Sequence, residues 1–119
     1  MKVLVCDDDI VVLKVVHVVM ELEGAEAVFV KDGRKALEHL REETFDLIIT
    51  DIHMPHYNGD DILKLVRDEQ KKNTPIVMIS SDTNEEVAAL ALKQGVSEFI
   101  RKPIDATSLQ LKLKKFLQP

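Results

Sequence analysis

At 119 residues the chain has the length of one domain with a real core, so residues 1–119 are read as a single unit. Its formal charge of −5 argues against nucleic-acid or anionic-membrane binding through net charge, and neither is expected as a partner. A lone cysteine excludes an internal disulfide.

The first predicted strand covers 2–6, where Val3-Leu4-Val5-Cys6 runs into Asp7, Asp8 and Asp9. A helix is expected over 9–23. Its valines at 11, 12, 15, 16, 18 and 19 favour a strand by propensity, but Lys14, His17 and Glu21 fall on one stripe at 3.6 periodicity. A parallel crossover of about a dozen residues also needs a helix here. This longest apolar stretch, Ile10 to Met20, is interrupted by Lys14 and His17 and falls short of the roughly 20 residues of a spanning helix. With no signal-peptide pattern before it, a cytoplasmic protein is expected.

Gly24 closes the helix, a strand follows over 26–30, and Asp32 precedes a helix over 33–43. Next come a strand over 46–50, ending at Asp51, and a helix over 59–71. Thr74-Pro75 opens a strand over 75–79 that stops at Ser80. Thr83 and Glu86 have capping-box spacing before a helix over 84–94, which Gly95 ends. The last strand, 97–101, meets Lys102, and Asp105 precedes the final helix, 105–117.

Apolar runs that do not alternate mark strands covered on both faces, and strict strand-helix alternation marks a parallel sheet flanked by helices. Ligands of such sheets sit beyond the carboxyl ends of the strands. Asp7, Asp8, Asp51, Ser80 and Lys102 each follow a strand and are therefore expected to converge. Several carboxylates in an apolar rim are costly without a cation. Oxygen-only ligation with open water positions suits Mg2+. Lys102 adds a point charge for a phosphoryl oxygen and Ser80 a hydroxyl donor, which makes Asp51 the candidate nucleophile for an aspartyl phosphate.

Cys6-Asp7-Asp8, Asp51-Ile52-His53-Met54-Pro55 through Gly59, Ile79-Ser80-Ser81 and Lys102-Pro103 stand in the order and spacing of bacterial response-regulator receiver domains, which the whole chain resembles. The resemblance implies a flavodoxin-like, three-layer α/β/α fold with a five-stranded parallel sheet in the order 2-1-3-4-5. It implies Asp8 as direct Mg2+ ligand, Asp7 acting largely through metal-bound water, the His53 main-chain carbonyl as a further ligand, and Asp51 as phosphoacceptor. Ser80 and Phe99 match the switch pair, Lys102 the phosphate-binding lysine, and the bond to Pro103 is cis in the family. The implied role is a phosphorylation switch that takes its phosphoryl group from a phosphohistidine donor, not a turnover enzyme. Implied partners are a histidine kinase or phosphotransfer protein, and an output domain, a target or a second copy on the surface of the fourth helix, fifth strand and fifth helix.

Departures lie at His53 and Asp82, two residues after Asp51 and Ser80, where the family tunes phosphoryl lifetime. Phe99 also lacks the hydroxyl of a tyrosine, so any switch works by packing. Competing readings are weaker. A haloacid-dehalogenase-like phosphatase needs an aspartate where His53 stands, and a flavodoxin-like cofactor binder needs a glycine- and hydroxyl-rich loop where three aspartates stand. A receiver-shaped interaction module that is never phosphorylated would not need every site position filled. His53 and His56 read as exposed loop residues before they read as transition-metal ligands. On the surface, Val11, Val15 and Val18 are expected to border solvent as a docking patch, and Leu111 to project between Lys114 and Lys115 from the last helix.

Overall fold

The computed structural model describes residues 1–54, 56–82 and 84–118. Strands β1 (Lys2–Cys6), β2 (Glu26–Val30), β3 (Leu47–Asp51), β4 (Ile76–Ser80) and β5 (Glu98–Arg101) alternate with helices α1 (Ile10–Leu22), α2 (Gly33–Glu42), α3 (Gly59–Lys64), α4 (Glu85–Lys93) and α5 (Ala106–Leu117). Every strand pairing is parallel, and the order β2-β1-β3-β4-β5 is the expected one.

Side chains of a strand alternate between its two faces, and both faces here are apolar. Val3, Val5, Leu47, Ile49, Val77 and Ile79 meet α1 and α5 on one side. Leu4, Cys6, Ile48, Ile76 and Met78 meet residues of α2, α3 and α4 on the other. Each aliphatic side chain fully buried this way contributes about 1.5–3 kcal/mol of transfer free energy. The central strand β3 and its neighbour β4 are buried along their whole length, which explains their unbroken apolar runs.

α1 is helical despite its valines. Val12, Val16 and Val19, with Leu13 and Met20, fill the core, so tertiary burial outweighs β-propensity. Asp9 caps it by accepting the Val11 N–H at 2.9 Å, and Gly24 (φ 67°) closes it in the left-handed region that suits glycine. Val11 and Val18 are exposed as anticipated. Val15 is not, because it packs half-buried against the α1/α5 core.

Two other expectations need correction. The helix anticipated over 59–71 stays α-helical only to Lys64, then widens into a π-helical turn over Leu65–Glu69. α4 is capped by Asn84, which accepts the Glu86 N–H at 2.8 Å; Thr83, the anticipated cap, lies outside the described residues. β1, β2 and β5 end where read from sequence, but β3 and β4 end one residue later. Asp51 and Ser80 are therefore the last residues of β3 and β4, paired with Ile79 and Arg101, and inherit the rigidity of the sheet.

Candidate functional site

At the carboxyl end of the sheet Asp7 follows β1, Asp51 ends β3, Ser80 ends β4 and Lys102 follows β5. Backbone bonds continue the ladder past the strands: Asp7 N–H donates to the Val30 carbonyl (3.1 Å) and Lys102 N–H to the Ser80 carbonyl (2.8 Å). Carboxylate oxygens of Asp7, Asp8 and Asp51 lie within 4.8 Å of one another. Asp7 and Asp51 are buried, whereas Asp8 is exposed.

Asp51 is held from two sides. Its Oδ1 accepts the His53 N–H at 3.2 Å, and its Oδ2 accepts from Lys102 Nζ at 3.0 Å. Gly59 permits the loop between β3 and α3 to fold back onto it, since a Cβ there would stand 2.8 Å from the Asp51 carbonyl oxygen. Gly33, the first residue of α2, admits the same loop from outside: a Cβ on it would lie 1.9 Å from the Tyr57 carbonyl oxygen. Neither contact is legible from local sequence, because each glycine's partner belongs to another segment or turn.

Asp7 carries the electrostatic tension. Burial pushes its carboxyl up from the ordinary 3.8 to about 6, and the Asp51 charge adds to this, while the Asp9 N–H and Lys102 pull the other way. Lys102 Nζ lies 3.4 Å from both Asp7 oxygens, but only Oδ1 is met at hydrogen-bonding geometry. Among the described residues, the buried Oδ2 finds no hydrogen-bond donor. For Lys102, burial pulls the ammonium down, but Asp51 and Asp7 outweigh it and the net direction is up. One ammonium thus serves two buried carboxylates and leaves an oxygen unpaired. An oxygen-only cluster with such an orphan fits a hard cation of the Mg2+ kind, which takes one or two carboxylates and retains waters.

Ser80 is fully buried and its Oγ accepts the Asp82 N–H at 3.0 Å. Phe99 is half-buried and packs against the core beneath α2, α3 and α4. His53 and Asp82 share a groove with Asp60, Val87, Leu90 and Gln94 beside the site, so both departures from the family pattern flank Asp51's end of the sheet. His53 and His56 are exposed, and they do not join the acidic cluster. The Lys102–Pro103 bond is cis. Arg101, which sequence reading passed over, reaches back to the Asp82 carbonyl at 2.7 Å; its partner lies in another loop, so no local pattern announces it. Cys6 is buried and its thiol is pushed up by that burial, away from reactive thiolate behaviour.

Three aspartates beside a lysine at the carboxyl end of a five-stranded parallel sheet are the arrangement of a signalling receiver. Residues 3–114 match the family model described as response regulator receiver domain, and the chain belongs to that family. It is 34% identical to chemotaxis protein CheY-3 of Vibrio cholerae, covering 99% of this chain and 92% of that protein. It is 31% identical to the transcriptional regulatory protein CpxR of Escherichia coli over 98% of this chain, yet spans only 49% of CpxR. Among solved structures, chemotaxis response regulator CheY4 of Vibrio cholerae superposes with a TM-score of 0.86 at 33% identity, covering 97% of each chain. The Francisella response regulator 1452 receiver domain does so at 0.87 and 29%, covering 98% of this chain and 95% of that one.

Proposed function

We propose that residues 1–119 form one receiver unit in which Asp51 accepts a phosphoryl group from a phosphohistidine donor. The observation that carries this is the buried Asp51 carboxylate, ion-paired to Lys102 at 3.0 Å and set within 4.8 Å of Asp7 and Asp8. Asp7, Asp8, Asp51 and the His53 main-chain carbonyl would hold Mg2+. When bound, the ion neutralises charge on the transferring phosphoryl oxygens.

An Asp51 carboxylate oxygen forms the new bond to phosphorus while the bond from phosphorus to the donor imidazole nitrogen breaks. Lys102 exchanges its ion pair with Asp51 for one with a phosphoryl oxygen, and Ser80 donates its hydroxyl to another. Burial of Asp51 limits water at the acyl phosphate, and His53 and Asp82 at the mouth set how quickly water reaches it. Movement of Ser80 toward the phosphoryl group and of Phe99 inward shifts the population of two conformations, and only differential affinity for phosphate drives that shift.

Receivers act as signalling modules, so function lies in partner choice. The donor would dock on α1, where Val11 and Val18 form an apolar strip continued by the exposed Leu22. An output domain, target or second copy would use the surface of α4, β5 and α5, where Leu90 and Leu111 are exposed. The first test is intact mass after incubation with Mg2+ and acetyl phosphate. Gain of one phosphoryl group, about 80 Da, is expected in the wild type and absent from Asp51→Asn and in EDTA. No gain, together with no beryllofluoride binding, would make the chain an unphosphorylated interaction module.

A further inference from the structure

Phe99 has no hydroxyl with which to exchange hydrogen-bond partners when Asp51 changes state. Arg101, two residues along β5, has the contacts that Phe99 lacks. Its Nη1 donates to the Asp82 carbonyl at 2.7 Å, and its Nη2 lies 3.3 Å from Glu85 Oε1. Its guanidinium carbon stands 5.7 Å from the centroid of the Phe99 ring. The backbone N–H of the same residue donates to the buried Ser80 hydroxyl at 3.0 Å. The Asp82 backbone is therefore held at its N–H by the switch hydroxyl and at its carbonyl by the residue that covers the switch aromatic.

We propose that Arg101 is a positioning residue of the phosphoryl site, latching the β4–α4 loop and Phe99 together in the unphosphorylated arrangement. The inference rests on the phosphoacceptor reading above. Ser80 is wholly buried, so turning its hydroxyl toward a phosphoryl oxygen draws on the segment bonded to it. Displacing the Asp82 backbone takes its carbonyl away from Arg101. The guanidinium then either follows and uncovers the Phe99 face, or stays and loses a charge-assisted hydrogen bond. In both cases contacts made together in the resting loop are lost, and they bias the equilibrium against the phosphorylated conformation by their own worth.

Calorimetric titration with beryllofluoride in Mg2+, comparing wild type with three variants, tests this. Arg101→Ala removes the latch and is expected to bind beryllofluoride about threefold to tenfold more tightly, with Mg2+ affinity in the absence of beryllofluoride unchanged. Arg101→Lys keeps the charge but loses the planar fork and is expected to follow alanine. Glu85→Ala removes only an ion pair whose acid is 90% exposed and is expected to stay close to wild type. Equal or weaker beryllofluoride affinity in Arg101→Ala would overturn the latch while leaving the phosphoacceptor reading standing. A wild type that binds no beryllofluoride would overturn both.

Discussion

Asp7 shows how one buried carboxylate links stability, pH and metal. Its folded-state pKa of about 6 lies above the ordinary 3.8, so the folded chain holds this proton more tightly than the unfolded chain does. Stability from this group is therefore greatest below about pH 4 and falls as pH rises toward and through about 6. In magnesium-free buffer, urea unfolding between pH 4 and pH 7 is expected to show that decline, and Asp7→Asn to flatten it. Added Mg2+ should restore stability on the alkaline side, by about 2.7 kcal/mol at a hundred times its dissociation constant. A wild-type profile that rises across the window would contradict the burial of an underpaired Asp7.

Between elements, single side chains replace what secondary structure leaves unbonded. Arg67, in the π-helical turn after α3, donates Nη1 to the Lys72 carbonyl and Nη2 to the Gly95 carbonyl, both at 3.0 Å. It thereby joins the end of the α3 segment to the turn after α4. Burial holds its guanidinium below the ordinary value, and the two carbonyl oxygens replace part of the water it loses. Arg67→Met keeps most of the stem and strands two carbonyls; a loss of about 1–3 kcal/mol is expected in chemical denaturation. An unchanged midpoint would mean that water replaces the guanidinium without cost. The π turn had no counterpart in the apolar periodicity of 59–71, which reads the same for both helix types over so few residues.

For the molecule as a whole, the sheet order places β2 and β5 at the edges and the site over the central strands. α1 and α5 share one face of that sheet, and the exposed Val11 (63%) and Val18 (47%) lie on α1 just after the acidic loop. A donor that contacts this strip would bring its phosphohistidine to Asp51, whereas acetyl phosphate needs no such surface. Val11→Lys is thus expected to slow transfer from the cognate phosphohistidine protein at least about tenfold, the worth of roughly 1.4 kcal/mol, while phosphorylation by acetyl phosphate is unchanged. Equal transfer by both proteins would remove α1 as the docking surface.

Read alone, the sequence determined the alternation of elements, the parallel sheet and the grouping of Asp7, Asp8, Asp51 and Lys102, with Ser80 at the same end of the sheet, because buried runs and the polar residues ending them are local patterns and parallel strands share one direction. The strand order came from family likeness, since no local pattern ranks parallel neighbours. Tertiary structure alone decided the rest. Val15 turned inward because α1 lies against the sheet and α5; Gly33 and Gly59 proved necessary because other backbone approaches them. Arg101 became a neighbour of Asp82 because β5 ends beside β4. Such contacts join residues far apart in the chain, and they form only when the sheet closes the distance.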